Sequence, residues 1–338
     1  MAIIGLSPMD GVTDAAFRYI VDKYGHPDIM FTEFTSVEGL AHGATALLTP
    51  LIHHQSSTPL IAQVFGYTPD DFYKAAFIAA EMGFSGIDIN MGCPDRHITT
   101  RGGGAGLIRN PTLAKKIIEW TKRGVADWES GRKIEAIDLP ESIRQYINSY
   151  NANNSAAFRT HLTVSVKTRI GYSHPDTKDW IQNLLETRPD MISLHGRTFK
   201  QLYAGQADWD EIALAAELCK SAGVILLGNG DVKSRSEGLE KVNKYGVHGV
   251  LIGRASMGNP WVFTGETPSP ETKLRVALEQ CEAFERLTPG AHFLSLRKHL
   301  AWYCNGFRNA AQARVEFLKT SSIHDVRLVA EKYLNSID

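Results

Sequence analysis

One of the four cysteines of this chain, Cys93, stands in a sequence context that suits chemistry. It lies in the run NMGCP at positions 90–94, and four glycines follow within positions 101–106. A thiol with an ordinary pKa of about 8.5 is mostly protonated at neutral pH and can act as a general acid. A buried, inert cysteine is the usual alternative. We assign that packing role to the other three, Cys219, Cys281 and Cys304, and predict them within helices.

The glycine-rich segment at positions 101–106 has no Gly-Lys-Ser/Thr after it, so it is not a Walker loop. We interpret it as a flexible lid over the site that contains Cys93.

A second group of residues suits a phosphate. Asn229, Gly230 and Asp231 follow one apolar run, and Gly253 and Arg254 follow the next. Glycines let backbone N–H groups approach phosphate oxygens, and an arginine adds a planar, charged fork. A tight turn is the alternative for the first segment alone. The two segments together favour an anion site.

Three more polar residues, Gln63, Lys167 and His195, stand within or at the end of apolar runs. Each has a structural alternative: a core amide, a lysine that reaches outward past the helices, and a hydrogen-bonded core histidine. If all three point to one place, they suit an anionic ligand that also forms hydrogen bonds.

These residues can meet only if the apolar runs are neighbouring strands. Eight such runs alternate with helical segments over about 250 residues, which is the size of a (β/α)8 TIM barrel. The predicted strands are 3–7, 29–34, 60–65, 86–90, 162–168, 191–195, 224–228 and 249–253. A doubly wound sheet is less favoured, because the first turn lacks the G-x-G-x-x-G spacing. In a barrel, the carboxyl ends of the strands build the active site.

Two segments depart from a minimal barrel. The stretch 123–160 is longer than a usual connection, and we predict a helix within 134–150 and a surface loop in its Asn-rich part, 145–154. Residues 264–272 are rich in Pro, Thr and Gly, which predicts a linker. Helical spacing then recurs at 274–287, 294–304, 312–320 and 325–334. We therefore predict a barrel domain at 1–263 and a small all-helical domain at 273–338.

Composition excludes several classes of protein. The 338 residues are 43% hydrophobic with a formal net charge of −1, which argues against disorder and against wholesale wrapping of nucleic acid. The cysteine spacing fits neither a zinc site nor a disulfide framework, so we predict no metal and a reducing compartment. Neither a signal peptide nor a run of about 20 apolar residues is present. We expect a cytoplasmic protein.

In their order along the chain, these segments resemble the tRNA-dihydrouridine synthase family. The matching runs are SPMDGVTD at 7–14, IAQVFG at 61–66, NMGCP at 90–94, VKTRIG at 166–171, LHGRT at 194–198, GNGD at 228–231, IGR at 252–254 and LRKHLAWY at 296–303. The likeness spans nearly the whole chain. The stretch 123–160 is the main departure, and the glycine run at 101–106 is another.

The resemblance implies an enzyme that binds FMN. The implied cofactor contacts are Pro8, Met9, Asp10, Gln63, Lys167 and His195, with Asn229, Gly230, Asp231, Gly253 and Arg254 around the phosphate. It implies that NADPH or NADH reduces FMN, and that the reduced flavin passes hydride to C6 of a uracil while Cys93 protonates C5. Lys167 would stabilise negative charge on the flavin ring.

The resemblance also implies tRNA as the substrate, with the target base turned out of its stack, and a monomeric protein. We assign substrate contacts to Asn90, to Arg96 or Arg101, and to Arg297 and Lys298. The last two begin a cluster that continues with His299, Trp302 and Tyr303. Two other functions stay open at this point. One is an FMN-dependent dehydrogenase of a free pyrimidine, similar to dihydroorotate dehydrogenases; the other is a flavin-free tRNA-binding scaffold.

Overall fold

The computed structural model describes residues 2–154 and 160–335, and at its centre lies a sheet of eight parallel strands. The strands are β1 (Ile3–Leu6), β2 (Met30–Ser36), β3 (Leu60–Phe65), β4 (Gly86–Met91), β5 (Thr163–Arg169), β6 (Met191–His195), β7 (Ile225–Asn229) and β8 (Gly249–Ile252). They are arranged in chain order, and β8 pairs with β1. Two backbone hydrogen bonds, from Leu6 N to Ile29 O and from Asp28 N to Ile4 O, join β1 to the segment that enters β2. The sheet closes, and the predicted (β/α)8 barrel is confirmed.

Helices surround this barrel and continue beyond it. They are α1 (Ala15–Gly25), α2 (Val37–Ala41), α3 (Pro69–Glu81), α4 (Arg96–Thr100), α5 (Pro111–Glu129), α6 (Glu141–Asn153), α7 (Thr177–Leu185), α8 (Trp209–Ala222), α9 (Arg235–Tyr245), α10 (Pro270–Leu287), α11 (Arg297–Trp302), α12 (Ala310–Phe317) and α13 (Ile323–Leu334). Side-chain caps begin several of them. The Asn110 side chain accepts from Leu113 N, and Ser234 Oγ accepts from Glu237 N.

The long connection after β4 contains the helix predicted within 134–150, but this helix extends further than expected. Helix α5 continues to Glu129, and α6 runs from Glu141 to Asn153, into the Asn-rich part that was predicted as a surface loop. The loop prediction is wrong there because Ile143, Ile147 and Tyr150 recur on one face and are buried. The Tyr150 hydroxyl also donates to the His53 carbonyl oxygen at 2.9 Å. Residues 155–159 of this stretch lie outside the described residues.

The C-terminal helices begin earlier than predicted. Helix α10 starts at Pro270, inside the expected linker, because Ser269 Oγ accepts from Thr272 N and proline fits the first turn of a helix. The predicted helix 294–304 is shorter, since α11 ends at Trp302. Cys304 therefore lies beyond the helix, contrary to prediction, although it is buried.

The core of helices α10 to α13 includes residues of the first barrel helix. Their buried side chains join Ala16 and Ile20 of α1, and Trp261, in one apolar cluster. At the edge of this cluster the Glu279 carboxylate accepts hydrogen bonds from Lys23 Nζ and the Tyr24 hydroxyl, both at 2.6 Å. The C-terminal helices are thus packed against the first barrel helix.

Across residues 2–154 and 160–335, none of the helices combines the length and the apolar character that crossing a membrane would need.

Candidate active site

A cavity of about 1100 Å³ opens at the carboxyl ends of the strands. All of the predicted cofactor residues line it, together with two of the other predicted site residues, Asn90 and Cys93. The strands bring these side chains together because parallel strands of a barrel end on one rim. The polar residues that the sequence analysis selected at strand ends therefore line one continuous cavity.

The floor of the cavity is a set of hydrogen-bonded polar side chains on β3, β4 and β5. Gln63 Nε2 donates to Asp88 Oδ2 at 2.7 Å, and Ser165 Oγ donates to Asp88 Oδ1 at 2.6 Å. Asn90 Nδ2 donates to Gln63 Oε1 at 3.0 Å. Burial raises the pKa of Asp88 to about 6, so this carboxyl is ionised at neutral pH.

Cys93 lies on a loop that is fixed from both sides. Asn90 Oδ1 accepts from Gly92 N at 3.0 Å and from Cys93 N at 2.8 Å. Arg169 Nε donates to the Gly92 carbonyl oxygen at 2.7 Å. Burial raises the pKa of the Cys93 thiol above its ordinary value. The thiol is therefore protonated at neutral pH, as a general acid must be.

The glycine-rich segment behind Cys93 is a packing element, so the flexible-lid interpretation is wrong for most of it. Residues 104–108 are buried in a short 3-10 helix, Gly104–Arg109. Gly104 has a φ of 52°, and a Cβ there would lie 2.9 Å from the Cys93 carbonyl oxygen. The glycine lets this segment approach the Cys93 loop closely.

Lys167 points into the cavity, which decides between the two orientations that the sequence left open. Its ammonium donates to Asn229 Oδ1 at 3.2 Å, and Asn229 Nδ2 donates to the Leu251 carbonyl oxygen at 2.9 Å. Burial, followed by the nearby charge of Arg169, lowers the pKa of Lys167 to about 8. The ammonium is thus largely retained at neutral pH.

His195 is a neutral imidazole. Burial, followed by the charges of Lys167 and the surrounding arginines, lowers its pKa to about 2. Its Nε2 faces Arg197 Nη1 at 3.4 Å, and a guanidinium can only donate, so Nε2 is the acceptor. The ring proton therefore resides on Nδ1.

The end of the cavity after β7 and β8 carries a network of charges. Asp231 Oδ2 accepts from Arg197 Nη2 at 2.7 Å and from Ala207 N at 2.8 Å, while Asp231 Oδ1 accepts from Arg254 Nη2 at 2.9 Å. Burial alone would raise the pKa of Asp231, but the bonds to Arg197 and Ala207 outweigh it and lower the pKa. Two guanidiniums and one carboxylate leave one net positive charge, and Asp231 holds Arg254 in place.

Four predicted substrate residues lie outside the cavity lining. Arg96 and Arg101 are exposed at the two ends of α4. The Nε of Arg297 donates to the Thr320 carbonyl oxygen at 2.6 Å, and Lys298 is exposed. A Cβ built at Gly11 would lie 3.0 Å from Lys298 Nζ, which places this lysine beside the first turn after β1.

Two members of the predicted basic-aromatic cluster are packing residues. His299 and Tyr303 are each 1% exposed, and both contact the Gln280 side chain. Neither can touch tRNA without unfolding of this region, so the two residues pack inside the protein while Arg297 and Lys298 carry the predicted contacts. His299 and Tyr303 are four positions apart and therefore share one face of a helical turn, and this face points into the protein.

The sequence prediction missed two residues of this region, Asp88 and Tyr203. Asp88 lies two positions before Asn90 on β4, so the alternation of a strand puts the two side chains on the same side. Applying that period to β4 would have found Asp88. Tyr203 lies on a loop and is 64% exposed. The guanidinium carbon of Arg254 lies 5.3 Å from the centre of the Tyr203 ring. No sequence signal marked it.

A closed barrel with a thiol, a half-buried lysine and a basic anion pocket at its carboxyl rim has the architecture of a barrel enzyme. The family profile described as dihydrouridine synthase (Dus) matches residues 5–128 and 140–337. The chain belongs to the dihydrouridine synthase family.

Curated relatives extend over the same length. A probable tRNA-dihydrouridine synthase of Staphylococcus epidermidis is 32% identical over 98% of this chain and 94% of its own length. A Staphylococcus aureus protein of the same name is 32% identical over 98% of this chain and 93% of its own length. Probable tRNA-dihydrouridine synthase 2 of Bacillus subtilis is 30% identical over 98% of this chain and 95% of its own length. A solved DHODH structure from Eimeria tenella covers 68% of this chain and 59% of its own at 12% identity, with a TM-score of 0.39.

Proposed function

We propose that this protein is a tRNA-dihydrouridine synthase that uses bound FMN, with NADPH or NADH as reductant, to reduce the C5=C6 bond of uridines in tRNA. Membership of the family and the names of its relatives support the reaction. The observation that carries the proposal in this chain is Cys93, a protonated thiol that lines a cavity together with a half-buried ammonium and an anion pocket.

The cavity residues fit FMN. At the end after β7 and β8, the net positive charge of the Arg197–Asp231–Arg254 group suits a phosphate. At the other end, Lys167 and the second N–H of Gln63 are donors that suit the carbonyl edge of a flavin ring. No group of three or more His, Cys, Asp or Glu side chains in the described residues could hold a metal.

Each protein side chain then has a specific task. FMN held in this cavity and reduced by NADPH or NADH would supply the hydride for C6 of the uracil ring. The Cys93 Sγ–H gives its proton to C5, so the pyrimidine gains one hydride and one proton and the thiol becomes a thiolate. The negative charge that develops on the uracil C4 oxygen during this addition is stabilised by N–H donors of the cavity floor, of which Asn90 Nδ2 has a second hydrogen to give.

The rim of the cavity supports a nucleic acid substrate. The exposed cations Arg96, Arg101 and Lys298 suit phosphate contacts, and the exposed ring of Tyr203 suits stacking on a base. A uridine inside a tRNA helix has to leave its stack to reach Cys93. We assign tRNA docking to the C-terminal helices together with this rim.

The proposed substrate is tested by offering two pyrimidines to one enzyme. The purified protein is incubated with NADPH and either unmodified tRNA or free uridine, and nucleosides are analysed by mass spectrometry. We expect dihydrouridine in the tRNA and none from the free nucleoside. Reduction of free uridine alone, or of neither compound, would contradict the proposal.

FMN affinity is expected to depend on pH through Lys167. Because burial lowers the pKa of this lysine to about 8, it is charged below that pH and neutral above it. A ring carbonyl prefers the charged form, so affinity should be highest below pH 8 and fall by up to about tenfold per pH unit above it. The measurement is FMN titration of the apoprotein from pH 7 to 9.5. Lys167→Met should bind more weakly at pH 7 and show no such decline, and an equal decline in that variant would refute the assignment.

Gly230 is expected to tolerate no side chain. Its φ is 125°, and a Cβ would lie 2.6 Å from Ala207 Cβ and 3.0 Å from His195 Cδ2. Backbone strain of about 1–3 kcal/mol and the displaced His195 should lower FMN affinity of Gly230→Ala by at least about tenfold. The matched control is Gly246→Ala, which has a φ of 67° but open space around the Cβ. Equal FMN affinities in the two variants would show that the Gly230 contacts are unimportant.

A further inference from the structure

Beneath the cavity, one continuous series of hydrogen bonds ends at a carboxylate that the proposed reaction does not use. The N–H groups of Gly92 and Cys93 donate to Asn90 Oδ1, Asn90 Nδ2 donates to Gln63 Oε1, and Gln63 Nε2 donates to Asp88 Oδ2. We call this series the amide relay. Its last member, Asp88, is 0% exposed. A buried carboxylate is costly, so its retention calls for a reason.

The direction of the amide relay is determined at both ends. Backbone N–H groups can only donate, so the Asn90 carbonyl oxygen must face the Cys93 loop and its NH2 group must face Gln63. At the other end an ionised carboxylate can only accept, so the Gln63 NH2 group must face Asp88. Gln63 and Asn90 therefore cannot rotate their amides by half a turn without losing hydrogen bonds at both ends.

Asp88 does not line the cavity, so it acts on a ligand only through its neighbours. Its second oxygen, Oδ1, accepts from Ser165 Oγ, and its negative charge favours the charged form of Lys167, raising the pKa of that lysine. Its hydrogen-bonded connection to the chemistry runs through Gln63, whose second N–H is available to a ligand, and through Asn90, which holds the Cys93 backbone.

We infer that Asp88 is a positioning residue: by accepting from Gln63 it fixes the orientation of both amides, and through Asn90 it holds the Cys93 loop in place. The importance of Asp88 for catalysis rests on the proposed function. Its effect on the orientation of the two amides and of the Cys93 loop does not. The relay keeps Gln63 as a donor toward a bound ring and keeps the Cys93 thiol directed into the cavity.

Two uncharged substitutions separate hydrogen bonding from charge. In Asp88→Asn the carbonyl oxygen can still accept from Gln63, and the new NH2 group can donate to Ser165 Oγ, whose hydroxyl can turn to accept it. In Asp88→Ala no acceptor remains. Both variants remove the same negative charge, so any change in the pKa of Cys93 that comes from charge alone is shared by the two.

The readout is the rate at which iodoacetamide alkylates Cys93 in the purified protein, followed by peptide mass spectrometry. We expect Asp88→Asn to stay near the wild-type rate. Asp88→Ala should react about 10-fold faster at Cys93, because a buried N–H without a partner loosens the loop. Cys219, Cys281 and Cys304 are buried and serve as internal reporters of general unfolding, and they should stay unreactive. Equal Cys93 rates in the two variants would overturn the inference.

If Asp88→Ala unfolds, so that all four cysteines react, Gln63→Leu decides, because it cuts the amide relay at its middle. Faster alkylation at Cys93 alone would support the inference, and a wild-type rate would refute it. In turnover with tRNA, Asp88→Ala should have a lower kcat than the wild type at an unchanged KM. Asp88→Asn should have a higher kcat than Asp88→Ala. The alkylation assay needs neither flavin nor tRNA. A failure of dihydrouridine formation in the wild type would thus count against the proposed function and leave the relay intact.

Discussion

Replacement of Cys93 by alanine is expected to lower the rate of dihydrouridine formation by about 10²- to 10⁴-fold, the usual contribution of a positioned general acid. The Cys93 thiol lines the cavity, and its raised pKa keeps it protonated. The substitution leaves Lys167, Arg254 and the other predicted flavin contacts in place. Flavin content and the rate of flavin reduction by NADPH should therefore equal those of the wild type.

Cys93→Ser is the matched control for shape. A serine hydroxyl occupies nearly the same space but is a much weaker acid than a thiol, so this variant should also bind flavin and tRNA and turn over slowly. Product is measured by nucleoside mass analysis after single turnover of the prereduced enzyme. A Cys93→Ala variant that forms dihydrouridine at the wild-type rate would remove Cys93 from the mechanism.

The second large effect is expected at Arg254. Its guanidinium is held by Asp231 at 2.9 Å at the end of the cavity where the site carries net positive charge. In Arg254→Ala, Asp231 and Arg197 neutralise each other, so the phosphate of FMN loses both a charged hydrogen bond and the excess charge. We expect FMN affinity of the apoprotein to fall by about 10- to 100-fold, the range for a hydrogen bond to a charged group.

Riboflavin provides the control for this prediction, because it lacks the phosphate. Arg254→Ala should bind riboflavin as the wild type does, and Arg254→Lys should recover part of the FMN affinity, because it keeps the charge but not the planar fork. Both ligands can be followed by the quenching of flavin fluorescence. An equal loss for FMN and riboflavin would mean that Arg254 acts on the shape of the site instead of on the phosphate.

The barrel and the location of its site could be predicted from sequence for a simple reason. The strands are buried on both faces and therefore read as unbroken apolar runs, and in a barrel all of their carboxyl ends meet. Polar residues at those ends, such as Gln63, Lys167 and Asn229, had to converge if the fold was correct. The fold class did not depend on any single motif.

Pairings between distant side chains could not be predicted in this way. The phosphate-site assignment placed Asp231 among the anion contacts, yet its carboxylate joins Arg197 and Arg254, which lie 34 and 23 residues away. Asn90 was assigned to the substrate, and the structure adds its bonds to the Cys93 loop. Such partners depend on the register between strands and on loop conformation, and neither has a local signature in the chain.

The C-terminal region shows a related limit. Amphipathic spacing correctly indicated helices, but it could not tell which of their faces lies against α1. The sequence therefore left open which members of the cluster at 297–303 pack inside, and the structure buries His299 and Tyr303 beside Gln280. Only the neighbouring Lys298 of that cluster is exposed near the first turn of the barrel.

The most direct test of the central claim is a single turnover in the absence of oxygen. The purified protein is reduced with NADPH, freed from excess nucleotide and mixed with unmodified tRNA, while the flavin absorbance and the nucleoside content are followed together. The proposed function predicts that the flavin is reoxidised and that an equal amount of dihydrouridine appears in the tRNA. A flavin that stays reduced with tRNA but is reoxidised by a free pyrimidine would contradict it.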